Sequence, residues 1–209
     1  MNNFMLEIKN KSHLLHKATE ISGFTHRFLA KGADLESYTE YIYNLSFVYE
    51  AIENYLNKYK DLEDVKPFVT TELFRTEAIK NDVKELSNNK DLEILSSTLA
   101  YVDKLNTVAE INPKLLIPHA YVRFLADLFG GRMFYSLLKE EFNVSDEALK
   151  YYSYEDLGDI KAYVMKYHMM LAKLNLNEEE QKQFIIEVSN SYIYNISISN
   201  ELDAKYFAK

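Results

Sequence analysis

Residues 119–132 read His119-Ala-Tyr-Val-Arg-Phe-Leu-Ala-Asp-Leu-Phe-Gly-Gly-Arg132, an apolar helical pattern that ends in two adjacent glycines. Each glycine inside a helix costs roughly 0.8–1 kcal/mol relative to alanine. A helix that keeps such a pair bends there, or admits something unusually close to its backbone. His119, Arg123 and Asp127 follow at i, i+4 and i+8, so they share one face running down to Gly130 and Gly131. A polar stripe ending at bare main chain points to a ligand site. The plainer alternative is a surface Arg123–Asp127 pair, worth about 0.2–0.5 kcal/mol, with a kink used for packing.

Working outward, the rest of the chain reads as helices. Five glycines and three prolines in 209 residues leave few turn signals, which favours long helices over many short strands. Between Asp34 and Lys60, Leu35, Tyr38, Ile42, Leu45, Tyr49, Ile52 and Leu56 alternate spacings of three and four, the stripe of a helix facing a core. Asp34 is its predicted cap, and Gly32 ends the helix before it. That preceding helix is expected from Leu6 to Lys31, bent at Gly23. Pro67 breaks the chain before a pattern marked by Leu73, Ile79, Val83 and Leu86. Ser87 to Lys90 reads as a turn, and a helix is expected from Leu92 to Val108.

Asn112-Pro113 has the form of an N-cap followed by proline at the first helical position. Pro118 gives a second possible start for the glycine-bearing helix. Asn143 to Asp146 is a turn with Ser145 as cap, residues 151–158 are aromatic and irregular, and a helix is expected from Asp159 to Leu174. Asn177-Glu-Glu-Glu180 matches a capping box with Asn in place of Ser or Thr. The last helix then turns Phe184, Ile185, Val188, Tyr192, Asn195 and Ile196 inward. With no internal repeat or linker, the expectation is one all-α domain spanning residues 1–209.

Composition removes several function classes. The net charge of −8 argues against general nucleic-acid binding, which needs a basic footprint. There is no cysteine, hence no thiolate nucleophile, disulfide or cysteine-held cluster. No apolar run approaches membrane-spanning length, and the N-terminus lacks the pattern of a secretion signal, so the expected compartment is the cytoplasm. No histidine has Glu three residues before it, as helical di-iron sites require, and no glycine-rich nucleotide motif follows a strand. Five histidines remain. His16 stands four residues before Glu20, so one helical turn brings carboxylate and imidazole together, either as an ordinary solvated pair or as a metal ligand with its orienting partner.

These residues resemble the heme oxygenases, which cleave heme to biliverdin, carbon monoxide and ferrous iron. The family's distal helix carries a pattern like His-Ala-Tyr-x-Arg-Tyr-Leu-Gly-Asp-Leu-Ser-Gly-Gly-Gln, which residues 119–132 follow closely. His16 with Glu20 matches the proximal His-x-x-x-Glu. Leu73-Phe-Arg-Thr-Glu-Ala-Ile-Lys-Asn-Asp-Val83, Phe47-Val-Tyr-Glu-Ala-Ile-Glu53 and Asn195 also match, in family order over nearly the whole chain.

The resemblance implies a helical fold with heme, both cofactor and substrate, held between a proximal and a distal helix. His16 is then the axial iron ligand, oriented by Glu20. Tyr121, Ala126, Gly130 and Gly131 flank the porphyrin, the glycines with bare backbone. Asp127 organises distal waters that deliver protons to bound dioxygen, supported by Arg123, Tyr49 and Asn195. Lys9 and Lys161 meet the heme propionates as point charges. Electrons come from a separate reductase, or from ferredoxin or flavodoxin. Three positions depart from the pattern: Ala126 for glycine, Phe129 for serine and Arg132 for glutamine. Small-to-large changes in a packed site cost about 1–3 kcal/mol unless neighbours adjust, so these bear on efficiency and regiochemistry more than on heme binding. They also motivate the alternative expectation, a non-catalytic heme-binding or heme-delivery protein on the same fold.

Overall fold

A computed structural model describes residues 3–88 and 90–208. Nine α-helices occur among these residues. They are α1 (Asn3–Glu20), α2 (Gly23–Leu29), α3 (Leu35–Lys58), α4 (Thr76–Leu86), α5 (Ser96–Ile111), α6 (Leu116–Phe129), α7 (Gly131–Phe142), α8 (Ile160–Ala172) and α9 (Glu178–Phe207). Short 3-10 turns fill much of the connecting chain, and no strand is present among the described residues. The all-α expectation holds. No helix among them is long and apolar enough to cross a membrane.

Helix α3 runs through the middle, packed against α4, α5, α6 and α9. Its predicted stripe is the buried one: Tyr38, Ile42, Leu45, Tyr49, Ile52 and Leu56 are all within the core, with Leu35 half-buried at the edge. The 30-residue α9, about 45 Å long at 1.5 Å per residue, braces the opposite side against α1, α2, α5 and α6. Phe184, Ile185, Val188 and Tyr192 are buried as expected, while Asn195 and Ile196 are half-buried on a cavity wall.

Of the predicted caps, Asp34, Asn112 and Asn177 form, and Asp159 adds another. Asp34 accepts from the Ser37 N–H at 2.8 Å, Asp159 from Ala162 at 3.0 Å, and Asn177 with Glu180 closes a complete capping box. Asn112 caps Pro113, but Pro113–Leu115 is a 3-10 turn and α6 starts only at Leu116. Pro118 then falls in the first turn of α6, where a missing N–H breaks no intrahelical bond. Asn143 ends α7 in the left-handed conformation. Ser145 holds the N-cap position of the next turn without a capping hydrogen bond from its side chain.

Three expectations change. The helix predicted over Leu6–Lys31 is two helices, parted at residues 21–22. Gly23 has φ +48°, and a Cβ there would lie 2.5 Å from the Ser199 carbonyl on α9, so the chain turns where main chain meets main chain. The helix predicted from Leu92 begins at Ser96 instead. The side chain of Asn44, fully buried on α3, donates to the Glu93 carbonyl and accepts from the Leu95 N–H and the Thr98 hydroxyl. Those bonds hold residues 93–95 extended. Glu201 of α9 then caps α5 by accepting from Ser96 and Ser97. In the turn expected at Ser87–Lys90, the Lys90 N–H bonds to the Ser87 carbonyl, and Asn89 lies outside the described residues. Finally, the pattern after Pro67 becomes helical only at Thr76, where the buried Glu53 of α3 accepts from the Arg75 and Thr76 N–H groups at 2.6 and 3.0 Å.

A third carboxylate works the same way. Asp82 of α4, fully buried, accepts from the N–H groups of Lys150 and Tyr151 at 2.9 and 2.8 Å. It thereby fixes the irregular aromatic segment that follows α7. Burial pushes its carboxyl above the ordinary range, against the lowering effect of those two donors. Asp82→Ala leaves both main-chain donors without this acceptor, so unfolding free energy from urea titration is expected to fall by about 2–4 kcal/mol. A loss below the range for ordinary surface substitutions, about 0.5 kcal/mol, contradicts the assignment.

Candidate functional site

A cavity of about 700 Å³ opens between α1, the α6–α7 junction, α8 and α9. That volume is within the roughly 300–1,000 Å³ of small-molecule and cofactor sites. His16, Thr19 and Glu20 stand on one wall, and Tyr121, Ala126, Phe129, Gly130 and Met133 contribute to another. His16 is half exposed into this space, with its Nδ1 3.5 Å from the Glu20 carboxylate. Its ring stands edge-on to Tyr192 at 5.9 Å.

The two glycines act by close approach, not by unusual backbone. Gly130 keeps helical dihedrals (φ −69°, ψ −34°) and still bonds to the Ala126 carbonyl at 2.7 Å. A Cβ on Gly130 would lie 3.0 Å from that oxygen, and one on Gly131 would meet the Tyr152 ring at 3.0 Å. Thus Gly130 leaves the cavity wall bare, and Gly131 lets the Tyr152 ring close behind it. Ala126 and Phe129 are exposed on the lining, and with both in place the 700 Å³ remains open.

Beside the cavity, His119, Arg123 and Asp127 are all buried. The surface-pair alternative is therefore set aside. Asp127 Oδ2 accepts from the hydroxyls of Tyr49 and Tyr151, the latter at 2.5 Å, and from Arg123 Nε at 3.1 Å. Oδ1 accepts from a second guanidinium nitrogen. Burial raises the Tyr49 and Tyr151 hydroxyl pKa values well above normal, and the Asp127 charge adds to this. Both phenols therefore stay protonated and donate. For Arg123, burial opposes the charge, but Asp127 leads the neighbours that hold the guanidinium strongly protonated. Its third nitrogen donates to Asn195 Oδ1 at 2.7 Å, and Asn195 Nδ2 donates to the Ser191 carbonyl at 2.7 Å.

His119 belongs to an adjoining network rather than to Arg123. Its Nε2 lies 3.1 Å from Glu187, and its Nδ1 lies 3.0 Å from the Tyr101 hydroxyl. Burial lowers its pKa, partly offset by Glu187, so the ring is neutral. A carboxylate only accepts, so Nε2 carries the proton and Nδ1 accepts from Tyr101. Ser191 completes the chain by donating to Tyr101 at 2.8 Å.

Sequence reasoning gave His168 no place in the site. It lines the cavity, half-buried, edge-on to Tyr121 at 5.9 Å. Among the described lining residues the basic side chains are His16, Arg123 and His168. Lys9 and Lys161 are exposed and outside the lining, yet each stands seven residues, about two turns, before a lining histidine on its own helix. Tyr151 and Tyr152 were also missed, because nothing local marks an irregular aromatic segment as part of a site.

An apolar slot with a free imidazole on one side and an uncovered helix backbone on the other suits a flat macrocycle bearing one metal. No cluster of three or more His, Cys, Asp or Glu that could hold an ion occurs among the described residues.

Burial alone would raise the Glu187 carboxyl, but hydrogen bonds from His119, Lys104 and Asn190 hold it down at about 2. A depressed folded-state pKa contributes stability above the ordinary value of 4.5 that is lost as pH falls towards 2. Urea titrations between pH 4.5 and 2 are therefore expected to show a shallower acid loss in Glu187→Gln than in the unsubstituted chain. Identical slopes refute the paired carboxylate.

Comparison with known proteins gives this geometry a family. The chain is 31% identical over 202 residues to a heme oxygenase of Porphyra purpurea, covering 95% of this chain and 86% of that one. It is 27% identical over 204 residues to heme oxygenase 1 of Synechocystis, covering 96% and 85%. The crystal structure of the Synechocystis heme oxygenase-1 in complex with heme superimposes with a TM-score of 0.91 over 98% of this chain and 94% of that chain, at 27% identity. The family model described as heme oxygenase matches residues 2–201, and with the site in place the conclusion follows that this chain belongs to the heme oxygenase family.

Proposed function

We propose that this chain is a heme oxygenase that converts heme to biliverdin, carbon monoxide and ferrous iron with dioxygen and external electrons. The single observation that carries the reading is the juxtaposition, across one 700 Å³ cavity, of His16 on α1 with Asp127 and Gly130 at the α6–α7 junction. When bound, heme supplies both the iron that activates dioxygen and the ring carbon that is oxidised.

The protein's own groups have separable tasks. His16, with Nδ1 turned towards Glu20, would hold the heme iron through its other ring nitrogen. Gly130 and Ala126 let the porphyrin lie close to the distal helix, and Tyr121 borders it. Asp127 holds a proton acceptor beside the reacting face, Tyr49 and Arg123 hold Asp127 in turn, and Asn195 holds Arg123. Lys9 and Lys161, each two turns before a cavity histidine on its own helix, give cationic partners for the heme carboxylates, and His168, its pKa lowered by burial, adds a neutral N–H donor. Membership of the heme oxygenase family, with relatives matched over most of the chain, does not favour the delivery-protein alternative.

A reductase, ferredoxin or flavodoxin is the inferred electron donor. A cytoplasmic location is part of the same reading.

The test is aerobic turnover: ferric hemin bound to the protein, given a reductant and air, is expected to lose its Soret band as a bilin and carbon monoxide form. A stable complex that yields neither product overturns the enzyme reading. Truncating Asp127 leaves Tyr49, Tyr151 and Arg123 without their acceptor, so Asp127→Asn, which keeps one acceptor oxygen and the side-chain volume, is the milder variant. It should still bind hemin while bilin formation slows by roughly 10²–10⁴-fold, the usual contribution of positioned proton transfer. Undiminished turnover excludes a role for this carboxylate in proton delivery.

A further inference from the structure

Asp127 has two oxygens with unequal surroundings. A carboxylate oxygen offers about two lone-pair sites, yet Oδ2 receives three donors: Tyr49, Tyr151 and Arg123 Nε. Oδ1 receives one guanidinium donor. Oδ2 is therefore saturated, and the acceptor capacity left on Asp127 is on Oδ1, in a residue that lines the cavity.

Tyr151 is placed for this with little freedom. Its side chain is 1% exposed. Its N–H is held by Asp82, and its ring lies edge-on to Tyr49 at 5.8 Å and against Tyr152 at 4.7 Å. Tyr152 is itself tied to the Tyr38 hydroxyl at 3.0 Å and backed by Gly131. The line Asp82–Tyr151–Asp127 thus couples α4 to the distal helix through one phenol.

We propose that Tyr151 is a positioning residue for the heme oxygenase reaction, its hydroxyl acting with Tyr49 to occupy Asp127 Oδ2 so that only Oδ1 accepts from a proton-bearing group in the cavity. The inference rests on the function proposed above. Two consequences distinguish it from simple packing. The second phenol lowers the basicity of the carboxylate, because charge given to one hydrogen bond is withdrawn from the others. It also prevents rotation that would exchange the two oxygens. The charged and titratable groups around Asp127 are Arg123 on its own helix, Tyr38, Tyr41 and Tyr49 on α3, and Tyr151, Tyr152 and Tyr154 on the segment after α7. Burial raises every one of these tyrosines above its ordinary range, so near neutral pH these phenols stay protonated.

The experiment compares ferric hemin complexes of the unsubstituted chain, Tyr151→Phe and the chain carrying 3-fluorotyrosine at position 151. Its readout is the pH midpoint at which the visible spectrum converts between acid and alkaline forms. Tyr151→Phe leaves Asp127 a stronger acceptor, so the midpoint should rise by about half a unit, roughly threefold in proton affinity, with hemin affinity unchanged. Fluorotyrosine keeps the shape but donates more strongly, so its midpoint should fall. A midpoint that stays put in both variants overturns the proposal, as does a change in hemin affinity or melting temperature without a midpoint shift. If Tyr151→Phe does not fold, the isosteric fluorotyrosine protein decides alone. Failure of the unsubstituted chain to bind hemin overturns the functional reading itself, a result separable from an unmoved midpoint in variants that do bind it.

Discussion

The buried ion pair between Arg123 and Asp127 is the constraint around which the site is organised. Two charges taken from water at the centre of a helical core are tolerable only when the remaining donors and acceptors are met. Here the surroundings supply them from four directions: Tyr49 from α3, Tyr151 from the segment after α7, Asn195 from α9, and the pair's own bidentate geometry on α6. Each partner is locked in turn by core packing, so the pair ties the functional face to the main structural helices. A cavity wall built this way has little freedom to relax when empty, which favours a preformed slot.

Buried carboxylates recur as joints throughout the molecule. Glu53 closes the start of α4, Asp82 clamps residues 150–151 and Glu187 receives His119, while Glu201, half-buried, caps α5 in the same way. Each ionised acceptor meets main-chain or side-chain donors that would otherwise be stranded away from water, where an unmet group costs about 1–3 kcal/mol. The acidic composition is thus not only a solvated surface; part of it works inside. Aromatic rings fill the space between these joints, and tyrosine serves both purposes because its ring packs while its hydroxyl donates. Tyr38, Tyr49, Tyr101 and Tyr151 all do this.

Much of this was legible beforehand because it is periodic or local. The α3 stripe, the capping box at Asn177, and the shared face of His119, Arg123 and Asp127 follow from a repeat of 3.6 residues and from side chains that bond to their own backbone. What escaped reading has a common cause. The late start of α5 depends on Asn44 and Glu201, 51 and 105 residues away. The break at residues 21–22 depends on how closely Gly23 meets α9. Tyr151 and His168 joined the site because Asp82 of α4 pins the first and α8 carries the second there, not because neighbouring residues announce it.

The amino-acid order alone therefore determined that the chain is helical, which faces are apolar, and that an imidazole on the first helix and a carboxylate ahead of two glycines are its distinctive chemical groups. Only the tertiary arrangement decided that these groups face each other across one slot, that the Arg123–Asp127 pair is buried, and which phenols hold it. The physical reason is range: helix periodicity and capping act over one or two turns, whereas burial and the partner of a buried charge are set by segments that meet only when the chain has folded.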